Sequence, residues 1–496
     1  MIVRSLVGVA CFLIPFLLTF GFIRNAFLHY GAPFLDAGWF AALMWTPDWR
    51  LPNPDVVLVE PHYPPKSFYG NHFSPILAIT SLIRQVLPLD RVDVFACYMG
   101  AGHGLLGSAM FYILTRWQEA PRVPWLLAAG CLSMAFALNG LALNVTTYPH
   151  YEILAPGLAL FALVLLMEKR LALAWSIGAL AVLVREDIGF HIVAILGLFL
   201  VVQVVQTGSL RPHRHVLVFA LACLVYSAAT IVLQRHLFPA VDNFAWVYAG
   251  DGKFSHLTQD AIRQRLSFVL DARLYVWLPL VLTLLLAAAT RNIFVAIGAV
   301  AYLPWLTVQL MAHSYGPSTL SIHYPFPLII GIGWAAIALT RLEKPQPTRS
   351  AYLSVAGWAA AVASTFVSNP AVPAFFLSTR PLGFAAHPDA TMRFAGMLAE
   401  SLPALGKVKV DPAVMSLAPT GLTPQAWLLP QDWNRQGGPE PDVDAVIYFD
   451  IASVRTQIDA MKDVVRYSVP GTNIHLATSR PIDPRAPIAS LVRIEP

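Results

Sequence analysis

The chain has 496 residues, of which 57% are hydrophobic and only 12% charged, and its mean hydropathy is +0.60. A water-facing surface needs roughly 25% charged residues, so this composition excludes an ordinary soluble domain. The formal net charge of +5 is scattered between apolar runs instead of forming a basic stripe, which argues against nucleic acid as a partner.

Met1 to Arg4 lead into an apolar run that reaches Phe22. A signal peptide begins in the same way, but this run is long and no small-x-small cleavage site follows it, so we read it as a retained first span. Apolar segments then recur at Ser5–Ile23, Val94–Thr115, Pro124–Leu143, Tyr151–Met167, Leu171–Val184, Ile188–Gln206, Val216–Leu233, Leu274–Ala289, Ile293–Leu310, Tyr324–Thr340 and Ala351–Val367. Read as membrane helices, these give about eleven spans. Arg4, Arg116, Arg122, Lys169, Arg170, Arg211, Arg214, Arg291, Arg341, Lys344 and Arg349 then all fall on one side. The positive-inside rule makes that side, and the N-terminus, cytoplasmic. Phe73–Pro88 is apolar but contains Arg84, and counting it as a span would reverse every later loop. It is expected to lie along the outer interface as an amphipathic helix.

The opposite side receives residues 24–72, 144–150, 235–273 and 311–323 and a tail from Ser368 to Pro496. The spacing of apolar strings in that tail predicts strands at Ala445–Phe449 and Asn473–Ala477 and helices at Ala390–Leu402 and Val454–Val465. The expected fold class is therefore a polytopic α-helical membrane domain over residues 1–367, followed by a small extracytoplasmic α/β domain over 368–496. The four cysteines, Cys11, Cys97, Cys131 and Cys223, lie within apolar runs, so neither a disulfide framework nor a zinc site is indicated.

Ionisable groups near membrane depth cost about 2.5–3.5 kcal/mol each, so their positions point to sites or water-filled cavities. Asp36, in Phe34-Leu35-Asp36-Ala37-Gly38-Trp39-Phe40, suits either a general base or a helix N-cap. Gly70-Asn71-His72-Phe73-Ser74-Pro75 and Tyr148-Pro149-His150-Tyr151-Glu152 each bring an imidazole to the interface. With His313, Tyr315, His323 and Tyr324, they would form a ring of donors for a phosphate or sugar. Arg185-Glu186-Asp187 interrupts an apolar stretch. It is either a turn held by an ion pair or a site in which Arg185 meets an anionic phosphate and Glu186 or Asp187 meets a sugar hydroxyl, a metal or a nearby base. There is no Walker loop, no strand-borne G-x-G-x-x-G and no H-E-x-x-H, and so no basis for nucleotide-driven transport or a zinc protease.

In their order, these motifs resemble a prokaryotic membrane family known as domain of unknown function 2079. The matching pieces are Leu35–Phe40, Gly70–Pro75, Pro149–Glu152, Arg185–Asp187 and His323-Tyr324, with Val414–Pro419 and Asp444–Asp450 in the tail. That family is in turn similar to membrane glycosyltransferases of the C-type fold, which take a sugar from a polyprenyl phosphate. The resemblance implies a multi-pass protein of the prokaryotic inner membrane that transfers a sugar to an extracytoplasmic glycan, lipid or protein. It also implies Asp36 as the acidic residue that activates the acceptor. The substrate would be held by His72, His150, Glu152, Arg185, Glu186, Asp187, His323 and Tyr324, with the lipid tail between helices. The wider superfamily often has two adjacent acidic residues where Asp36 stands alone, which leaves a divalent metal open as a cofactor. A transporter or flippase of a lipid-linked or anionic solute, which should show inverted repeats and broken helices, and a non-catalytic membrane scaffold are the competing readings.

Overall fold

The computed structural model describes residues 2–377, apart from 29–34, 46, 52–66, 88, 90, 117–121, 239–244, 251 and 343–347; beyond 377 it describes residues 397, 405–406, 408–410, 444–449, 455, 458, 464–470, 474–479, 482, 488 and 491–494. Apolar runs become helices because a segment surrounded by hydrocarbon must satisfy its own backbone groups. The first, α1 (Ile2–Leu28), is tied near its end to α4 (Arg91–Leu114) by Arg24 Nε, which donates to Asp93 Oδ1 at 2.8 Å. Between them lie α2 (Leu35–Trp45) and α3 (Pro75–Val86). Helix α3 buries Ile76, Leu77, Ala78 and Ser81 and exposes Ile83 and Val86, the two-faced character expected of Phe73–Pro88. The Arg84 guanidinium lies 3.8 Å from the Trp45 ring centroid, a cation–π contact between α2 and α3.

Pro124–Leu143, expected as one span, is two helices, α5 (Val123–Ala137) and α6 (Gly140–Thr147), bent by 42°. The chain restarts at Asn139, whose side chain accepts from the Leu141 and Ala142 N–H groups. Gly140 donates its N–H to the Thr365 hydroxyl at 2.9 Å, and a Cβ there would fall 1.8 Å from the Thr365 carbonyl oxygen. Only glycine permits this approach. A 3₁₀ turn, Tyr151–Ile153, then leads into α7 (Leu154–Met167), followed by α8 (Leu171–Val182), α9 (Ile188–Thr207) and α10 (Arg214–Leu237).

Next come α11 (Gln259–Ala272) and α12 (Leu274–Thr290), which meet at 81°, then α13 (Ile293–Leu310) and the short α14 (Tyr315–Ser318). Helix α15 (Pro327–Ile337) continues through a π-helical turn, Ala338–Leu342, and is followed by α16 (Thr348–Ser364) and α17 (Ala371–Phe376). Helices α13 and α15 cross backbone to backbone: a Cβ at Gly298 would lie 2.1 Å from the Gly331 carbonyl oxygen. Without a hydrophobic force between apolar helices, such small-residue contacts are what lets them pack.

Among the described residues, five helices are long and apolar enough to cross a membrane, and the bent pairs bring the number to seven, the make-up of a multi-pass membrane protein. The sequence-based number of eleven is finer than this. Four of its segments form apolar helices of only 10–17 residues, around α7, α8, α15 and α16, because polar turns cut them short. At the C-terminal end of α7, Glu168 accepts from Arg341 Nε at 3.0 Å and from the Tyr112 hydroxyl, whose oxygen also accepts from Arg116 and Arg170.

In the tail, β1 (Val408–Val410), β2 (Ala445–Phe449), β3 (Val465–Ser468), β4 (Ile474–Thr478) and β5 (Val492–Ile494) form one sheet in the order β1-β2-β4-β3-β5. Only the β1–β2 pairing is parallel. Strands β2 and β4 are those expected from the sequence. The expected helices Ala390–Leu402 and Val454–Val465, and the motif Val414–Pro419, lie mostly or wholly outside the described residues; Val465 itself opens β3.

Candidate functional site

Four turns that are far apart in sequence meet at one end of the helices: the turn before α3, the 3₁₀ turn before α7, the α8–α9 turn and the segment before α15. Each ends at a helix N-terminus, whose partial positive charge favours carboxylates. Glu152, fully buried on the 3₁₀ turn, is the centre. Its Oε1 accepts from Arg185 Nη1 at 2.8 Å and its Oε2 from His150 Nδ1 at 2.8 Å. Arg185 also donates through Nε to Asp187 Oδ1 at 2.7 Å and through Nη2 to Asp187 Oδ2. All three of its nitrogens therefore donate to carboxylates of this chain. Its guanidinium carbon lies 5.1 Å from the Phe326 ring centroid.

Burial opposes the charge on Arg185, but Asp187 and Glu152 overcome it and hold its pKa above the ordinary value. For Asp187, burial works toward neutrality and the adjacent Arg185 prevails, so its pKa lies below the ordinary carboxylate range.

Glu186 points the other way. Its Oε1 accepts from His72 Nδ1 and its Oε2 from the Phe73 N–H, both at 2.9 Å, which fastens the α3 turn to the α8–α9 turn. The Ile76 N–H, bonded to the Leu183 carbonyl at 3.1 Å, and Ser74 Oγ, 2.8 Å from the Tyr151 hydroxyl, reinforce the junction. His323 completes the cluster by lying face to face with His150, their ring centroids 3.6 Å apart and planes 16° apart. Its Nδ1 is buried without a hydrogen-bond partner. Burial first, and then the neighbouring His150, lower its pKa well below the ordinary imidazole value. Tyr324 stacks on the His323 ring at 4.4 Å.

Asp36 sits in the first turn of α2, and its side chain lies outside the described residues. One turn later on the same helix, Phe40 packs edge-on against His150 and Tyr151, with centroids 4.9 and 4.7 Å away. Residues four apart share a helix face, so α2 brings its Asp36 position to the side of the cluster. His72, His150, Glu152, Arg185, Glu186, Asp187, His323 and Tyr324 are thus assembled in one network. His313 instead meets His256 edge-on at 5.0 Å, and Tyr315 is 72% exposed.

Arg185, for which the sequence left an ion-paired turn and a phosphate contact open, faces two carboxylates. Sequence reasoning also missed Tyr248, whose hydroxyl accepts from Gln309 at 3.3 Å within the field of Arg185 and Asp187. Nothing in the polar stretch around Tyr248 marks that residue out.

His150, Glu152 and His323 offer ligand atoms within 4.8 Å of one another, a donor set suited to a divalent transition metal. The stacked imidazoles project their in-plane lone pairs side by side, however, and both oxygens of Glu152 are already engaged. A metal would require one ring to turn. As it stands, the cluster is a buried network of hydrogen bonds and ion pairs. No protein-family model matches the chain, and no curated protein matches it.

Proposed function

We propose that this chain is a membrane glycosyltransferase that moves a sugar from a polyprenyl-phosphate donor to an acceptor outside the cytosol. One observation carries the reading: polar residues from four distant turns converge in a buried network at one end of an apolar helical protein, beside the helix bearing Asp36. Ionisable groups clustered at the end of apolar helices are by default candidates for a site that handles a polar substrate. The sugar and lipid donor class come from the motif resemblance to domain of unknown function 2079 and the C-type glycosyltransferases.

Arg116, Lys169, Arg170 and Arg341 gather at the opposite end, which supports a cytoplasmic position for that end and an outward-facing network in the prokaryotic inner membrane. In this reading each of the five long helices, the two bent pairs and the four shorter apolar helices crosses the membrane, which would give eleven spans with α3 at the interface.

In this mechanism the Asp36 carboxylate takes the proton of the acceptor hydroxyl as its oxygen attacks the anomeric carbon. The bond from that carbon to the phosphate oxygen breaks, and the polyprenyl phosphate leaves with the electron pair. Arg185 acts through Glu152 and Asp187 as a positioning residue, while His323, whose Nδ1 has no hydrogen-bond partner, offers hydrogen-bonding capacity near the reacting groups.

Cell-envelope glycans and glycolipids compared by mass spectrometry, with and without the protein, test the reading. The wild type should add one glycosylated species, and Asp36→Ala should reduce it about a hundredfold or more at unchanged protein level. Identical profiles in all three strains would refute the assignment.

A second reading, a transporter or flippase of a lipid-linked or anionic solute, is favoured by the two bent helix pairs, because broken helices often form solute sites. It predicts movement of intact donor across vesicle membranes without loss of the sugar.

A further inference from the structure

Next to the buried network is a cavity of about 410 Å³, lined among others by Asn144, Tyr148, Arg273, Tyr275 and Ser321. Its size falls within the roughly 300–1,000 Å³ of small-molecule sites. Both bends in the helical framework open onto it: Asn144 belongs to α6, just past the 42° bend, and Arg273 stands at the 81° corner between α11 and α12.

Arg273 is fixed there by backbone, with Nε donating to the Thr319 carbonyl at 2.8 Å and Nη1 to the Ala272 carbonyl at 3.2 Å. Among the described residues, no carboxylate pairs with it. Asn144 is 5% exposed, its side chain faces Tyr275, and its amide nitrogen has no hydrogen-bond acceptor. A half-buried cation that meets no carboxylate among the described residues, over the Phe268 and Tyr275 rings, and a buried donor without an acceptor both favour an anion. Tyr148 connects this cavity to the network: it lines the cavity and stacks on His150 and His323, at 5.4 and 5.8 Å.

We infer that the cavity binds the phosphate of a phosphorylated, hydroxyl-bearing ligand. Arg273 pairs with the phosphoryl oxygens, Asn144 donates to one of them, and the ligand's remainder extends past Tyr148 toward the network. The identity of that ligand as a lipid-linked donor rests on the transferase reading; the anion site itself does not. Arg273 thereby takes the phosphate-holding role that Arg185, committed to its own carboxylates, leaves open.

Binding to the purified full-length protein in detergent, followed by intrinsic tryptophan fluorescence, tests this with three probes: farnesyl monophosphate, farnesol and inorganic phosphate. Farnesyl monophosphate should bind the wild type at least about tenfold more tightly than Arg273→Gln, the loss expected for a charge-assisted contact. Farnesol should bind both proteins equally. Ser321→Phe, which fills the cavity and leaves Arg273 in place, should weaken farnesyl monophosphate comparably and guards against a folding defect in Arg273→Gln.

Inorganic phosphate competing as well as the prenyl compound would identify a water-soluble phosphate as the ligand and uphold the site. Unchanged affinity for farnesyl monophosphate in Arg273→Gln, or in Ser321→Phe, would overturn it. A tenfold loss in both variants, together with identical envelope glycans with the protein, without it and with Asp36→Ala, would uphold the site and remove the transferase reading.

Discussion

Arg185 donates from all three nitrogens to two carboxylates while being almost fully out of solvent. Removing one partner of a buried pair leaves the other charge uncompensated, at a cost of about 3–5 kcal/mol. Arg185→Met should therefore lower the melting temperature in detergent far more than a substitution of exposed Arg170. Arg185→Lys should fall between them, since lysine keeps the charge but not the planar fork. His323 gives stability a pH dependence. Its folded pKa lies below the ordinary 6.5, so under that pH the unfolded chain binds more protons than the folded one. Stability is complete above about pH 6.5 and declines as pH falls from there toward the depressed value. Asp187 adds a second loss only below its ordinary 3.8. Melting curves of His323→Asn across pH 4.5 to 7.5 should be flatter than those of the wild type. At this scale the sequence marked the network residues because charge in an apolar stretch is conspicuous. Arg273, Asn144 and Tyr248 escaped notice because nothing in a linear string reveals which polar residues the fold brings together.

Two helices that touch through glycine carbonyls have no room for a side chain. Gly298→Val should force α13 from α15, and size-exclusion chromatography of the detergent-solubilised variant should show a loss of the monodisperse species. Most helix positions were legible: Ile293–Leu310 coincides with α13, and Leu171–Val184 ends within two residues of α8. Hydropathy reads the solvent a segment prefers, and for long apolar runs that decides the helix. It could not reveal the break at Asn139, where direction changes without a change in composition, whereas the corner at Arg273 falls where the span Leu274–Ala289 was expected to begin. The number of spans is likewise not set by hydropathy alone. Where helices are shorter than the roughly 20 residues of a full crossing, depth depends on neighbours and not on the run itself.

Sidedness belongs to the whole molecule. If the network faces outward, a cysteine replacing Lys253 should react with a membrane-impermeant maleimide in intact spheroplasts. One replacing Arg170 should react only after permeabilisation. The reverse pattern would invert the topology and place the network in the cytosol. Helix α7 has a carboxylate just beyond either end, Glu152 and Glu168, roughly 24 Å apart at 1.5 Å per residue. Each is bound to an arginine from a different neighbour, Arg185 from the α8–α9 turn and Arg341 from the turn after α15. A segment bolted at both tips behaves as a strut: a slip of one helical turn, about 5.4 Å, would shear both joints at once. Rocking of one half against the other through this region is thereby resisted, whereas chemistry performed at a fixed tip needs no such travel.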